Sequence, residues 1–380
     1  VAIQAGRTQI ISPTIINQFI YYFVRTVFKE KRSNLKMSML PNTFIRGLHD
    51  EELCKRMEYR TLGRTGLQVS TVSLGTATLS DLFGELDVDE AITMIQKALK
   101  AGINYIDTAP YYGQGRSEEV LGMALKNVPR SAYYIATKVG RYEKDLVTRF
   151  DFSAKRTRES VENSLKLLGI KYVDIIQIHD IDFAKDIDVI VSECLPELEK
   201  IVKEGKAKFI GITSYNIDLL KECIERAPCV DTILTYSRHT LLDDSLKHYV
   251  KFFQEHNIGI VCASAHALGL LTNAGPQPWH PAHDNVKTIC RKAANICKEA
   301  DIELGKLAMY QFMQLDGAST FLVGMETCKL LDINLAAYYN GLSQKEMEIL
   351  QQLRETIFTR PYNWNDIELE EYKSAVSNAK

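Results

Sequence analysis

From residue 58 onward the chain alternates two textures, and this alternation limits the folds open to it more than any other feature. Short apolar runs occur at 72–75 (VSLG), 103–106 (INYI), 133–137 (YYIAT), 173–178 (VDIIQI), 207–213 (AKFIGIT), 230–236 (VDTILTY), 258–263 (IGIVCA) and 319–323 (STFLV). Between them lie amphipathic stretches of helical length, near 89–100, 117–127, 154–168, 189–203, 216–226, 243–256 and 286–299. The stretch 154–168, AKRTRESVENSLKLL, puts Val161, Leu165 and Leu168 on one helical face, and Gly169 stands where a helix would stop. Strand-like runs each followed by helix-like sequence predict βα units joined in a parallel sheet, and near-continuous apolarity predicts a sheet covered on both faces. Eight such units match the size of a (β/α)8 TIM barrel, typically about 250 residues. An open doubly wound sheet is the alternative. It is disfavoured because no G-x-G-x-x-G follows the first strand, and GQGRSE (113–118) lacks the third glycine and follows the second.

Two additions flank the barrel. Residues 59–72, YRTLGRTGLQVSTV, place a glycine-containing turn between two β-prone segments and predict an N-terminal hairpin. Residues 340–353, NGLSQKEMEILQQL, predict an extra C-terminal helix. The domain is therefore expected to cover 58–380, barrel plus tail, behind a partly disordered extension over 1–57. Within that extension the apolar stretch 15–28 is interrupted by Asn17, Gln18 and Arg25, and it falls short of the ~20 mostly apolar residues of a membrane span. A basic targeting peptide is the other reading of this segment.

A net charge of −2 gives no bulk reason to expect nucleic acid or an anionic membrane as partner. Eight cysteines without a C-x-x-C pair read as reduced thiols in a cytoplasmic protein. His280 and His283 in WHPAH lack further ligands nearby in sequence, and no metal site is expected.

In a barrel of this kind functional groups cluster at the C-terminal ends of the strands. Here the second strand ends at Asp107, the third at Lys138, the fourth at His179, the fifth at Thr213 and Ser214, and the seventh at Ser264. Each has a plain structural reading: a turn cap, a solvated lysine, a hydrogen-bonded core histidine. Their coincidence on successive strands of one rim favours a site. The adjacent Tyr111 and Tyr112 follow Asp107 at once. A phenol with a pKa of about 10 exchanges protons poorly near neutrality, an adjacent ammonium lowers it, and a carboxylate keeps that ammonium charged. With a histidine to bond a substrate oxygen, the set suits proton transfer at a carbonyl oxygen while hydride moves at carbon.

At these residues the sequence resembles the aldo-keto reductase superfamily, and within it the L-galactose dehydrogenase branch. The resemblance spans about residues 58–345. It is carried by DTAPYYGQGRSEEVLG (107–122), ATKVGRY (136–142), FDFSA (150–154), YVDIIQIHDIDF (172–183), GKAKFIGIT (205–213), GLLTNAGPQPWHPA (269–282) and FLVGM (321–325). It implies a catalytic tetrad of Asp107, Tyr112, Lys138 and His179, with Tyr111 left to packing. It also implies an NAD or NADP cofactor contacted by Thr213, Ser214, Thr232, Ser264, Gly269, Gly324, Glu326 and Asn334. Thr213-Ser214 stands where many members have Ser-Asn, Thr232 where a glutamine is usual, and Ala263 where a tyrosine commonly stacks on nicotinamide. Gly324, Met325 and Leu330 occupy positions that are basic in NADPH-preferring relatives, and Glu326 or Asp332 would repel a 2′-phosphate. These features lean to NAD, with Lys329 the one nearby cation. The implied activity is oxidation of an aldose, L-galactose-like, to a lactone. Reduction of another carbonyl, a steroid ketone or an aldehyde, is the second implication, since GRYEKDLVTRFDFS (140–153) is longer than the branch's loop. A cofactor-binding regulatory subunit with slow turnover is the third.

Overall fold

The structure, a computed structural model, describes residues 39–379. The expected targeting or apolar segment at 15–28 lies outside the described residues. Part of the segment expected as an extension, residues 39–57, is packed on the barrel. Asp50 caps helix α1 (Glu51–Arg56) by accepting from the Leu53 amide, and Cys54 and Met57 are buried. Thr43 accepts from the Asn104 side-chain amide at 3.0 Å.

The predicted hairpin is present as β1 (Tyr59–Thr61) paired antiparallel with β2 (Gln68–Ser70). Eight parallel strands then close on themselves: β3 (Val72–Gly75), β4 (Tyr105–Asp107), β5 (Tyr134–Val139), β6 (Val173–Ile178), β7 (Ala207–Ser214), β8 (Thr232–Tyr236), β9 (Gly259–Ala263) and β10 (Thr320–Gly324), with β10 pairing back onto β3. The barrel is the expected one, and the doubly wound alternative is excluded by closure.

The helices follow from the apolar spacing. In α2 (Val88–Lys100), Ala91, Met94, Ile95, Ala98 and Leu99 form one stripe and are buried, and Asp87 caps the first turn. Each such side chain removed from water contributes roughly 1.5–3 kcal/mol if large. After α3 (Arg116–Leu125), α4 (Ala154–Leu168) begins at the Ser153 cap and ends at Gly169 with φ +67°. The expected helix at 189–203 contains a π-helical stretch, Ile190–Cys194, ahead of α5 (Leu195–Lys203). The outer layer continues with α6 (Ile217–Arg226), α7 (Val250–Glu255), α8 (Asp284–Glu299), α9 (Leu304–Phe312), α10 (Cys328–Asn340), α11 (Gln344–Thr356) and α12 (Asn365–Asn378). The expected extra helix is α11; α1, α9 and α12 are additional to the expected helices.

The main core lies between strands and helices. A separate cluster fills the barrel itself: Tyr105, Ala136, Ile175, Leu234, Val261, Ala263 and Leu322, joined from the hairpin side by Leu62 and Val69. Hairpin residues in this cluster identify the N-terminal end of the barrel as plugged. Because successive side chains alternate faces, the inward residues two further along the strands form the layer at the C-terminal mouth. That layer includes Asp107, Lys138 and Gln177, and Tyr236 stands one inward step further out on β8.

Candidate active site

Lys138 is 1% exposed and uses all three of its protons. Its Nζ donates to Asp107 Oδ1, to the Thr108 carbonyl at 2.8 Å and to the Tyr112 hydroxyl at 3.2 Å. Asp107 is held from its other oxygen by Gln177 Nε2, which donates at 2.6 Å. Gln177 reaches across because β7 carries Gly211 beside it, where a Cβ would lie 2.9 Å from Gln177 Cγ and 2.5 Å from Thr232 Oγ1. The His179 ring stands perpendicular to the Tyr112 ring with centroids 5.8 Å apart. Its Nδ1 is buried without a hydrogen-bond partner among the described residues, and its Nε2 lies 3.7 Å from Asp180 Oδ2. The four expected tetrad residues therefore converge on one mouth.

The electrostatics depart from the sequence argument at one point. Burial pushes the Tyr112 phenol up; Lys138 pulls it down, as expected, but does not win. Burial opposes the charge on Lys138, yet Asp107 and Tyr112 hold it up at about 12. His179 falls to about 3, chiefly through burial, with Asp180 opposing and Lys138 and Arg141 assisting. The site at neutral pH is thus a neutral phenol, an ammonium and a neutral imidazole.

The rim around the tetrad holds three non-glycine residues with left-handed backbone, Asp180 (φ +54°), Ser237 (+55°) and Ser264 (+71°), each just beyond a strand end. Such conformations concentrate at functional sites. Burial raises the Asp180 carboxyl, but the Arg141 guanidinium, whose Nη1 donates to it at 2.6 Å, and the Thr213 hydroxyl help hold it below its usual range. The Arg141 guanidinium lies 4.0 Å over the Tyr111 ring, which gives Tyr111 the packing role expected of it.

The expected cofactor contacts separate into three groups. Ser264, Gly269 (φ +94°), Gly324 and Glu326 lie at or just beyond the C-terminal ends of β9 and β10, and Asn334 is on the buried face of α10. Adjacent strands β9, β10 and β3 end in Ala263, Gly324 and Gly75. This seam presents no bulky side chain: a Cβ on Gly324 would meet Thr78 Cγ2 at 3.1 Å, and one on Gly75 would meet Leu322 Cγ at 3.3 Å. Small residues at three adjacent strand ends beside the tetrad suit the close approach of a flat nicotinamide ring. Burial raises the Glu326 carboxyl while nearby Thr78 opposes. Asp332 is paired with Lys97 at 2.6 Å.

Thr213 and Ser214 are at the mouth, but their protons are committed. Thr213 Oγ1 donates to Asp180 Oδ1 at 3.1 Å and accepts from the Asp180 amide at 2.8 Å. Ser214 Oγ donates to the Asn216 carbonyl and accepts from its amide, each at 2.9 Å. Each hydroxyl has one lone pair left, so either can accept from a carboxamide N–H but not donate to it.

Thr232 requires a correction. It is the first residue of β8, paired with Gly211 and Gly259, and its hydroxyl is buried inside the barrel two inward layers below Tyr236. It cannot reach a ligand at the mouth. Sequence reasoning missed Gln177, Arg141, Asp180 and Tyr236. Of these Gln177 had left a signal, since a lone amide in a buried strand needs a partner. His280 accepts from the Ala282 amide at Nδ1 and faces the Ala267 carbonyl through Nε2 at 3.1 Å, so both ring nitrogens are occupied. Among the described residues no cluster of three metal-ligating side chains occurs, and no helix is long and apolar enough to cross a membrane.

Residues 71–355 match the Aldo/keto reductase family. The chain belongs to that family. It is 39% identical to an L-galactose dehydrogenase of Arabidopsis thaliana over 80% of this chain and 96% of that one. It is 30% identical to a D-arabinose 1-dehydrogenase of Saccharomyces cerevisiae, over 78% and 92% respectively. Among solved structures it is similar to the holo form of an aldo-keto reductase from Bacillus halodurans, with TM-score 0.64, 28% identity, and coverage of 81% of this chain and 98% of that one. This aldo-keto reductase is accordingly an oxidoreductase acting on carbonyl or hydroxyl groups.

The buried histidines make its stability fall in acid. Where the folded pKa lies below the unfolded value of about 6.5, only the unfolded state takes the proton between the two, so stability drops as pH falls through that window. His179 at about 3 and His239 and His280 at about 4 act this way, each costing up to ~1.4 kcal/mol per pH unit below 6.5. Asp182, raised to about 6 by burial, opposes them, as do Glu118 and Glu326, also raised by burial, while His49 and His266, lowered by burial, act with them. Thermal unfolding followed from pH 7 to pH 4.5 should show a falling Tm, and His179→Asn should flatten the slope.

Proposed function

We propose that the enzyme oxidises an aldose at its anomeric carbon to a lactone, using NAD. The carrying observation is the Lys138 ammonium, fixed by Asp107 and in hydrogen-bond contact with the Tyr112 hydroxyl, beside a neutral His179 whose Nδ1 lacks a partner. In this reading the phenolate form of Tyr112, stabilised by the Lys138 ammonium, takes the proton of the anomeric hydroxyl and becomes the neutral phenol, while His179 orients the substrate oxygen. Asp107, anchored by Gln177, positions Lys138. Ser264, Gly269, Gly324, Glu326 and Asn334 would bind the dinucleotide, with Thr213 and Ser214 accepting from its carboxamide. When bound, the nicotinamide supplies the hydride acceptor or donor. The sugar dehydrogenases among the relatives support the aldose, and the half-buried Glu326 beside an exposed Gly324 supports NAD over NADP.

Steady-state turnover with a panel of aldoses and of aldehydes and ketones, under NAD and NADP separately, tests the reading. Expected is NAD-linked oxidation of L-galactose or a related aldose; turnover confined to NADPH-linked carbonyl reduction would overturn it. Because burial holds the Tyr112 phenol up, the oxidation rate should climb with pH above neutrality, whereas reduction of a carbonyl should not. Glu326→Lys should shift the kcat/KM ratio toward NADP by roughly tenfold, the value of one charge-assisted contact to phosphate.

A further inference from the structure

Helix α12 lies beyond the 71–355 segment shared with the family, yet it lies across the barrel mouth. Two aromatic residues fix it. Trp364, at its start, is buried and packs edge-on against His280 in the segment between β9 and α8, with centroids 5.0 Å apart. Tyr372, two turns on, packs edge-on against Phe150 at 5.1 Å and Phe183 at 5.5 Å, from the loops after β5 and β6. Glu368 sits between these anchors and turns inward, its side chain 20% exposed.

The surroundings leave this carboxylate short of partners. Arg141 Nη1 serves Asp180 at 2.6 Å, and Glu368 Oε1 stands 3.7 Å from Arg141 Nη2, outside hydrogen-bond range. The Tyr215 hydroxyl donates to Glu368 Oε2 at 3.3 Å. A carboxylate offers about four acceptor positions, so most of this one's capacity is open. The Tyr215 ring packs against that of Tyr236 at 5.3 Å. The Tyr236 hydroxyl, close to Ser264, is buried without a well-formed hydrogen bond, as is His179 Nδ1. Around Tyr112 there is thus a wall of under-used polar groups, in which the carboxylates Asp180 and Glu368 share the Arg141 guanidinium, with the Arg149 guanidinium 5.9 Å from the Tyr111 ring centre.

We propose that Glu368 is a specificity-determining residue of the active site, accepting a hydrogen bond from a hydroxyl of a neutral polyhydroxylated substrate at a carbon remote from the one oxidised. This rests on the aldose reading above and adds to it. Open acceptors select hydroxyl donors, and the Glu368 carboxylate repels a substrate carboxylate presented at the same position.

The test compares kcat/KM for L-galactose, its singly deoxygenated analogues and the corresponding uronic acid, in wild type and in Glu368→Gln and Glu368→Asp. Wild type should prefer the parent sugar over at least one deoxy analogue by roughly ten- to hundredfold, the value of a hydrogen bond to a charged group. Glu368→Gln, which is isosteric, should reduce that preference to a few-fold and narrow the margin against the uronic acid; Glu368→Asp should fall between. Tyr372→Ala, which loosens the helix but keeps the carboxylate, should weaken all substrates alike, and Glu371→Gln on the exposed face should change nothing. Unaltered ratios in Glu368→Gln would overturn the proposal and leave the aldose reading standing. Absence of aldose oxidation in wild type would instead remove that reading, and this inference with it.

Discussion

Replacement of Tyr112 by phenylalanine is expected to lower turnover by on the order of a thousandfold, within the range a single proton-transfer group supplies. The substitution removes one oxygen atom. Lys138 keeps its bonds to Asp107 and to the Thr108 carbonyl, so the ammonium stays in place and the fold is spared. The seam of Ala263, Gly324 and Gly75 is on other strands, and affinity for the dinucleotide, read by fluorescence titration with NADH, should change little. Tyr111→Phe is the matched control. Tyr111 meets Arg141 through its ring, a contact phenylalanine also makes, and near-normal turnover is expected. Tyr112→Phe at full speed, or an equal loss in Tyr111→Phe, would defeat the assignment of Tyr112 as the proton-transfer group.

Which parts of this site were legible in the sequence follows from how a barrel stores information. Strand ends are marked by the change from apolar to polar residues, so Asp107, Lys138 and His179 announced themselves. Height within the barrel is not marked in the same way. Thr232 and Tyr236 lie on the same inward face of β8, and a period of two residues does not tell which layer either one occupies. That is how a buried hydroxyl came to be matched with a cofactor contact. Thr213 was placed at the right rim, but the cost of its neighbour could not be seen: Asp180 claims its proton, and Asp180 turns back toward it only because its backbone is left-handed. Glu368 was invisible for another reason. Residues 365–378, NDIELEEYKSAVSN, carry no continuous apolar stripe, so the segment read as a tail. Two aromatic anchors, Trp364 and Tyr372, hold it down in place of a stripe.

Lys138→Met separates what the buried ion pair does for chemistry from what it does for stability. Methionine nearly matches the lysine stem in volume, but it leaves Asp107 buried without its cation, 1% exposed, with only Gln177 donating to it. Breaking a buried pair in this way costs roughly 3–5 kcal/mol. The phenolate form of Tyr112 loses its counter-charge at the same time, and turnover should fall by roughly a thousandfold or more. Adding Asp107→Asn removes the stranded charge while keeping an oxygen for Gln177 Nε2, so the double variant should regain most of the lost stability. It should regain none of the activity, because neither asparagine nor methionine supplies a cation to the phenol. Denaturant midpoints and kcat measured on the three variants check both halves of this expectation. Recovery of turnover together with stability in the double variant would mean that Lys138 is a structural residue, and the proton-transfer scheme built on it would fail.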